Sequence, residues 1–597
     1  MTGNNRIRRS IVCVVIALFA ILLSVAAFGQ GTLHRLVIMG TNDLHGYVMP
    51  FDYLTVTEVD NYGVAKTYTL VKQVREMYEN TLLIDAGDTI QGSVLAEFEA
   101  RVEPLQMGDI PSITRAMNIM GYDAGAIGNH EFNFGLDYLD IAIAAADFPM
   151  LSANVYDIET GELVYDPYVV LEREIDGIPI RIGVIGFLPP EIMMWDRVHL
   201  EGVVYTEEVV DAAEKWIPRL QEEDVDLVIV ALHQGTSYAR EITERVDGID
   251  AIIMGHSHSR ATEIFNGVPA TMAGSWGNSL GLIHLVMHYE DGKWEVVGID
   301  TELWHVDETV EAAPEIVEAV AEQHQKTVDY VLAPVGETTV PIKGYFSRVI
   351  DNEVTQIIND AQLWYARNYL KGTELEDMPL LSAAAPFRTS TSVEAGDIRI
   401  MNVADIYIYS NTLHIVRVSG AELKGWLERS SANFNQIDPN DTEDQSLLAR
   451  FSSYNFDVIE GINYHIDITK PVGERITSLT YEGMPIPDEM EFLVVTNNYR
   501  SGGGGYHLED AEIVLSSTSE NRNVIIDYII EQGTITPTPT FNWSIAPFEH
   551  KGRILFNSSE EGEALIEELG IKGIYHLGDG VYEVIIPEIA VEVPEAA

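Results

Sequence analysis

Short apolar runs alternate with amphipathic stretches over the first half of the chain. Five runs have the length and composition of buried strands, at residues 36–39, 81–84, 180–185, 227–230 and 251–254. Between several of them, apolar residues recur at helical spacing over 64–78, 111–120, 136–145 and 207–221. The alternation of strands and helices along the chain predicts a layered α/β domain over residues 31–310.

The pattern changes in the second half of the chain. Pro314 begins a run with helical spacing to about Val331, and Pro334 ends it, so residues 311–334 are predicted to be a linker helix. One more surface helix is the alternative. Residues 335–550 mix predicted helices with predicted strands, which indicates a second α/β domain, and 551–597 is predicted to be a β-α-β appendage with an acidic end. The helices lie at 352–369 and 420–430, and the strands at 412–418, 464–467 and 490–496.

Residues 1–30 have the pattern of a signal peptide. Arg6, Arg8 and Arg9 precede an apolar stretch over 11–27, and Ala27-Phe28-Gly29 offers small residues for cleavage. An uncleaved membrane anchor is the alternative. No later run is long and apolar enough to span a bilayer, so we expect an exported protein, periplasmic or extracellular, with no stable membrane span after signal removal.

Charge and cysteine content narrow the chemistry. The chain has 93 acidic against 36 Lys and Arg residues, a formal net charge of −57. This balance argues against binding polymeric nucleic acid, which requires basic side chains, and suits a self-repelling monomer. The one cysteine, Cys13, lies in the predicted leader, so the mature protein is expected to have neither disulfide nor thiolate chemistry. Any metal ligands must then be His, Asp, Asn or Glu.

Such residues stand directly after the apolar runs. In chain order they form the patterns D-x-H, G-D, G-N-H-E, H and G-H-x-H, with the residues Asp43, His45, Asp88, Asn129, His130, Glu131, His233, His256 and His258. Ligands of open α/β sheets bind beyond the carboxyl ends of the strands, so these side chains are predicted to share one site. A single strand-end His is more often a satisfied polar residue, but the ordered set favours a metal centre.

This ordered set resembles the signature of the calcineurin-like metallophosphoesterases. The resemblance implies two divalent ions, one held by Asp43, His45, Asp88 and His258 and the other by Asp88, Asn129, His233 and His256. Imidazole with carboxylate suits Mn, Zn, Co or Fe without choosing among them. The ions would clamp a phosphoryl group and activate water for in-line attack. His130 would be catalytic by stabilising the transition state or the leaving oxygen, with a structural His as the alternative.

The leader, the metal set, the linking helix and the second domain together resemble the 5′-nucleotidase-like family of exported hydrolases. The fold implied is a metallophosphoesterase sandwich joined by a helix to a C-terminal α/β substrate-binding domain. One branch, the bifunctional 2′,3′-cyclic-nucleotide 2′-phosphodiesterase/3′-nucleotidases, fits best. The stretches that carry this resemblance are 43–45 with 51–53, 128–139, 382–387, and 434–440 leading to 454–457.

Asn133 separates this branch from the 5′-nucleotidases, which usually have G-N-H-E-F-D with an Asp that pairs with the catalytic His. An amide cannot stabilise a protonated imidazole as a carboxylate does, so His130 is expected to be the poorer proton donor. A 2′,3′-cyclic phosphate is strained and its leaving alkoxide stays tethered. We therefore expect a weaker acid to suffice for this substrate.

The second domain holds the predicted nucleoside site. The resemblance makes Tyr454 and Tyr499 two faces of a sandwich around the base, and stacking of this kind tolerates any base. The segment that follows is also predicted to bind substrate, with its glycines letting the backbone approach base and ribose: Arg500, Ser501, Gly502, Gly503, Gly504 and Gly505. A flexible surface turn beside two core tyrosines is the alternative.

The expected function is hydrolysis of 2′,3′-cyclic nucleotides to 3′-nucleotides and of 3′-nucleotides to nucleoside and phosphate, for scavenging. A 5′-nucleotidase or nucleotide-sugar hydrolase of the same family is the first alternative. A non-catalytic nucleotide-binding or adhesion protein on a degenerate phosphatase fold is the second. All seven expected ligands are present, which disfavours the second alternative.

Overall fold

The computed structural model describes residues 32–409, 411–508 and 511–590, so the predicted signal peptide lies outside the described residues. Among these residues, no helix has both the length and the apolar composition needed to cross a membrane. The described chain forms two compact units. The first comprises residues 32–50, 59–190 and 202–321; the second comprises 51–58, 191–201 and the remainder from 322.

The first unit contains two six-stranded sheets. The first sheet runs in the order Lys293–His305, Ser279–Glu290, Leu33–Thr41, Thr81–Asp85, Ala124–Ala126 and Met150–Leu151. The second runs in the order Arg260–Phe265, Val268–Ala273, Ala251–Met254, Leu227–Leu232, Ile178–Phe187 and Tyr168–Ile175. The four last strands of the first sheet are parallel, as are the central four of the second.

The two sheets share one apolar core. Ile38 and Ile84 of the first sheet lie in the same buried cluster as Val184, Ile229 and Ile253 of the second. Helices cover the outer faces, at Val64–Met77, Ser112–Met120, Leu136–Ala145, Val209–Gln221 and Thr236–Arg245. Because both faces of the parallel strands are buried, the strands are continuously apolar, as the sequence pattern indicated.

The second unit is built on a five-stranded mixed sheet. Its strands run in the order Val458–Glu460, Leu380–Ala384, Glu491–Asn497, Thr412–Ser419 and Glu512–Glu520. Two cores lie on its two faces, one against the helices Glu353–Leu370 and Asn521–Gln532 and the other against Gly420–Ser430. Smaller sheets contain Gly396–Arg399, Pro334–Thr338 and Thr534–Ile535, and Met484–Pro485, Ile476–Tyr481, Asn463–Ile466 and Trp543–Ile545.

A helix over Pro314–Val331 coincides with the segment predicted to be helical. The C-terminal segment has one strand more than the β-α-β pattern expected. It contains Ile554–Asn557, the helix Gly562–Glu568, Ile574–Gly578 and Val581–Val584. The additional strand forms because Asp579 and Gly580 both adopt positive φ, at 50° and 68°, in a two-residue hairpin turn. Phe556 and Tyr582 belong to the same core as Trp426, so this segment packs into the second unit.

Candidate metal centre and nucleoside site

The strand ends of the first unit bring the predicted metal ligands together. Three groups of His and Asp side chains are close enough to hold an ion: Asp43 with His45 and His258, His45 with Asp88 and His130, and Asp88 with His233 and His256. Within each group the ligand atoms lie within 4.8 Å of one another. The His and Asp clusters are therefore suitable for metal binding.

Individual distances show how tightly the seven side chains converge. The Nε2 atoms of His45 and His258 are 3.0 Å apart, and His258 Nε2 is 3.3 Å from Asp43 Oδ1. Around Asp88, Oδ2 lies 2.9 Å from His233 Nε2 and 4.0 Å from His45 Nε2. The side-chain oxygen of Asn129 lies 3.1 Å from His233 Nε2 and 2.9 Å from His256 Nδ1. Asp88 thus lies between the two predicted ligand sets.

Backbone conformation sets these directions. Five of the seven predicted ligands have positive φ, between 50° and 70°: Asp43, His45, Asp88, His256 and His258. Non-glycine residues rarely adopt this region, and it costs about 1–3 kcal/mol for each residue. Such strain is found where a site requires side chains to leave sharp turns in a fixed direction.

Backbone carbonyls orient two of the imidazoles. His45 Nδ1 donates to the carbonyl oxygen of Gln91 at 2.8 Å, and His233 Nδ1 donates to that of Ala86 at 2.7 Å. In both residues, Nε2 is therefore the nitrogen that faces the cluster. Such a second hydrogen bond fixes the tautomer of a metal-binding His.

Glu131 organises the loops that carry Asp88 and Asn129, although the sequence analysis assigned it no role. This fully buried carboxylate accepts hydrogen bonds from the backbone N–H groups of Gly128, Asp88 and Thr89, at 2.6, 2.9 and 2.5 Å. Asn42 acts similarly on Asp43, since its side-chain amide donates to Asp43 Oδ2 at 2.6 Å. Both residues are close to predicted ligands in the sequence, since Asn42 precedes Asp43 and Glu131 lies two residues after Asn129. This proximity was the only sequence feature that could have indicated their roles.

The electrostatics of the cluster suit a cation. Burial opposes ionisation of Asp88, but the fields of His233 and His130 outweigh it and hold the pKa of Asp88 well below its usual value. Burial also opposes protonation of His233, yet Asp88 raises its pKa to about 10. Burial lowers the pKa of His45 and that of His256 to about 4, so both are neutral near pH 7 and have lone pairs for a metal.

One buried atom tests the fit directly. Asp43 Oδ1 is buried and accepts no hydrogen bond, while the ring nitrogens of His258 and His45 lie 3.3 and 3.8 Å from it. A buried carboxylate oxygen normally has a partner, because leaving it unsatisfied is costly. A cation at this position would satisfy Asp43 together with both imidazoles, so the residues fit the metal that the sequence predicted.

His130 lies beside this cluster with an exposed edge. Its Nδ1 is 2.6 Å from Asn133 Oδ1 and 2.7 Å from Gln91 Oε1, two acceptors that place the hydrogen of a neutral ring on Nδ1. Its Nε2 lies 3.9 Å from Asp88 Oδ2 and therefore points toward the cluster. Asn133 contacts His130 as the sequence predicted, and Gln91 is a second amide contact that the sequence did not reveal.

In the second unit, Tyr454 and Tyr499 are neighbours, but their rings are perpendicular. The ring centroids are 6.3 Å apart and the interplanar angle is 81°. Parallel faces would be required for a sandwich around a base, so in this structure a base can stack on one ring at a time. Tyr409 lies against Tyr454, with ring centroids 5.9 Å apart, and extends the aromatic surface.

The segment after Tyr499 differs from a simple substrate-contacting loop. The side chain of Arg500 is buried and forms an ion pair with Asp457, with Nε 2.6 Å from Oδ2. Ser501 is buried as well, and its hydroxyl oxygen is 2.8 Å from His414 Nδ1. The space beside Gly504 and Gly505 is filled by protein atoms. The predicted site residues are thus adjacent, but the side chains of Arg500 and Ser501 face the interior of the unit.

Sequence comparison defines the class of protein to which this fold and site belong. Residues 36–260 match the family model of calcineurin-like phosphoesterases, and residues 334–510 match that of the 5′-nucleotidase C-terminal domain. The structure of a putative 5′-nucleotidase from Staphylococcus aureus has the same fold, with a TM-score of 0.72 at 22% identity over 86% of this chain and 99% of that one. The chain is a two-domain phosphoesterase, and the predicted fold class is confirmed.

Similar proteins of known name show to which family of phosphoesterases the chain belongs. The 2′,3′-cyclic-nucleotide 2′-phosphodiesterase/3′-nucleotidases of Yersinia enterocolitica and Salmonella typhimurium are both 36% identical to this chain, over 85% of it and 88% of each relative. The chain belongs to this family, as the sequence motifs indicated. A trifunctional nucleotide phosphoesterase of Bacillus subtilis, YfkN, is 42% identical over 86% of this chain, which spans 39% of that protein.

Proposed function

We propose that this protein is an exported two-metal phosphoesterase that hydrolyses 2′,3′-cyclic nucleotides to 3′-nucleotides and 3′-nucleotides to nucleoside and phosphate. The observation that carries the proposal is the convergence of seven His, Asp and Asn side chains at the strand ends of the first unit. The names of the relatives supply the substrate class. In the first reaction water adds to phosphorus, the P–O2′ bond breaks, and O2′ takes up a proton.

The metal ligands are proposed as two sets that share Asp88. One set is completed by Asp43, His45 and His258, and the other by Asn129, His233 and His256. The proposed ions are Mn, Zn, Co or Fe, since these metals accept imidazole and carboxylate ligands. Held by these residues, such ions would supply the polarisation of a phosphoryl group and the activation of water for attack. The loops of the first unit fix the positions of the ligand atoms. Glu131 binds the loop backbone, and the residues at positive φ direct the side chains toward one another.

His130 is proposed as the catalytic residue of this chain. Its Nδ1 is occupied by the amide oxygens of Asn133 and Gln91, so Nε2 is the atom presented to a phosphoryl or leaving oxygen. When protonated, Nε2 donates to the oxygen on which charge develops. Asn133 orients the ring without adding charge, which suits a leaving alkoxide that remains tethered to the ribose.

The nucleoside site is proposed at Tyr454 and Tyr499. Both rings are half-buried, which leaves part of each ring accessible. Base stacking on tyrosine contributes about 1–3 kcal/mol with little base preference. The turn from Arg500 to Gly505 completes this site by holding the two tyrosine segments in place.

We also propose a monomer that scavenges nucleotides outside the cytoplasm, in the periplasm or the medium, because of the acidic composition and the predicted signal peptide.

A 5′-nucleotidase activity is the competing candidate, since human 5′-nucleotidase is 24% identical over 84% of this chain. Parallel assays with 2′,3′-cyclic AMP, 3′-AMP and 5′-AMP, each in the presence of the four candidate metals, separate the two. We expect the cyclic nucleotide and 3′-AMP to be hydrolysed with much higher kcat/KM than 5′-AMP. Dominant hydrolysis of 5′-AMP would refute the proposal and favour the alternative.

A further inference from the structure

A buried arginine contacts both tyrosines of the proposed nucleoside site. The guanidinium of Arg500 lies over the Tyr499 ring, 5.6 Å from its centroid, and Nη2 donates to the carbonyl oxygen of Tyr454 at 2.9 Å. Only 1% of Arg500 is exposed, so this guanidinium has no open route to substrate. Its effect on a bound nucleoside must therefore pass through the tyrosines.

Asp457 fixes the position of this arginine. Its Oδ2 lies 2.6 Å from Arg500 Nε, and its Oδ1 accepts from Nη2 at 3.2 Å. Trp426, fully buried on the helix Gly420–Ser430, donates from Nε1 to Asp457 Oδ2 at 2.6 Å. A planar guanidinium with a buried carboxylate gives a directional pairing, which a lysine cannot reproduce.

His507 completes the network on the other side of Arg500. Burial, together with the field of Arg500, lowers the pKa of His507 to about 4, so the ring is neutral. Its Nδ1 is 2.8 Å from Arg500 Nη1 and accepts that hydrogen, while Nε2 donates to the carbonyl oxygen of Asn455 at 2.9 Å. The network therefore joins the Tyr454 turn to the turn that follows Tyr499.

Two glycines make room for this arrangement. A Cβ on Gly505 would lie 2.4 Å from Arg500 Nη1 and 2.8 Å from His507 Nδ1, and this residue also has φ of +72°. A Cβ on Gly504 would lie 2.6 Å from the Tyr499 ring, and Arg500 Nη1 donates to the Gly504 carbonyl. These glycines are thus required by the packing of Arg500 and Tyr499.

We propose that Arg500, held by Asp457 and His507, is a positioning residue that sets the relation of Tyr454 to Tyr499 and thereby the affinity for the nucleoside. The inference rests on the proposed function, because it assumes that the base binds at these tyrosines. It assigns to Arg500 an effect on nucleoside binding without contact between the arginine and substrate. The role also explains why the segments 454–457 and 498–500 occur together in this chain, because their last residues, Asp457 and Arg500, form the ion pair.

Kinetics of Arg500→Lys with two substrates test this role. Lysine keeps the charge but loses the planar set of donors, so we expect KM for 2′,3′-cyclic AMP to rise about tenfold with kcat nearly unchanged. For glycerol 1,2-cyclic phosphate, which has the same strained ring but no base, kcat/KM should stay at the wild-type value. An equal change for both substrates, or no change for either, would overturn the proposal.

The double variant Asp457→Asn/Arg500→Met separates positioning from folding. Removing both partners leaves no unpaired buried charge. The Tm of the double variant should therefore be closer to that of wild type than the Tm of either single variant. KM for the cyclic nucleotide should nevertheless stay raised. If KM returns to the wild-type value in the double variant, the pair acts only on stability and the proposal is wrong.

Arg475→Lys is the matched control. Arg475 is equally buried in the second unit, but it donates to the backbone carbonyls of Lys470, Ser431 and Phe434. We expect no change in nucleotide KM. Tyr454→Ala and Tyr499→Ala complete the series: if neither raises KM, the proposed nucleoside site is wrong, whereas if both do and Arg500→Lys does not, only the role of Arg500 is wrong.

Discussion

The two halves of the molecule position their functional side chains by different means. In the first unit, the proposed metal ligands follow strand ends, most of them at positive φ, and backbone groups orient them, as with His45 and the Gln91 carbonyl. In the second unit, the tyrosines are related through a buried side-chain network centred on Arg500. Geometry fixed by loop backbone is strained and rigid, whereas geometry fixed by one ion pair can be altered by one substitution.

The comparison predicts that substitutions in the first unit abolish chemistry and those in the second weaken binding. If the side chains of the first unit hold the ions that activate water, their loss lowers kcat. Stacking on a tyrosine acts equally on bound substrate and transition state, so its loss raises KM. The following predictions test this division, beginning with the largest effect.

Asp88→Asn is expected to lower kcat by at least about a thousandfold, because a neutral amide would be a weaker ligand than the carboxylate and would not balance the charge of the proposed ions. Steady-state hydrolysis of 2′,3′-cyclic AMP measures the effect. Asp85→Asn serves as the control for a buried carboxylate in the same strand region, since Asp85 accepts from Thr41 and Gly87 instead of facing the cluster. Activity of Asp88→Asn within tenfold of wild type would contradict the assignment.

Glu131→Gln is expected to weaken metal affinity by about 10- to 100-fold. The carboxylate accepts hydrogen bonds from four backbone N–H groups of the two ligand-bearing loops, and the NH₂ of glutamine would face some of these donors. Competition with a fluorescent chelator measures the affinity. Glu99→Gln is the control, because Glu99 is buried in the same unit but accepts from Ser112. Equal metal affinity of Glu131→Gln and wild type would refute this role.

Tyr499→Ala is expected to raise KM for 2′,3′-cyclic AMP by about tenfold, corresponding to about 1.4 kcal/mol of lost stacking, with little change in kcat. Tyr481→Ala is the control, because Tyr481 is a partly buried tyrosine of the same unit whose ring packs edge-to-face against Phe492. A fall in kcat with unchanged KM would break the proposed division between the two units.

Asn133→Asp is expected to have the smallest effect, a change of a few fold in the ratio of cyclic-phosphate to 5′-monophosphate hydrolysis, with 5′-AMP favoured. A carboxylate at this position would stabilise a protonated His130, which a poorer leaving group requires. Gln91 limits the effect because it also contacts His130 Nδ1, at 2.7 Å. An unchanged ratio in side-by-side assays would show that Asn133 does not determine substrate choice.

The difference between the halves also explains what the sequence could predict. Parallel strands end at one edge of a sheet, so Asp43 and Asp88 of the first sheet could be assigned to one site from their positions after apolar runs. His233 follows a strand of the second sheet and joins them because the two sheets share one core. Glu131 was missed because its function depends on backbone N–H groups of distant loops. The interior position of Arg500 was missed because its partner Asp457 is remote in sequence, and no period or motif shows which way a charged residue in a turn points.

We infer that these strand ends hold a pair of ions, and counting the metal bound per chain distinguishes a pair from one ion or none. The full-length protein is stripped with chelator, reloaded with Mn and analysed by mass spectrometry for metal per chain, with activity on 2′,3′-cyclic AMP followed in parallel. We expect loss of activity on stripping, and recovery as two ions per chain are bound. Full activity without metal, or saturation at one ion or none, would contradict it.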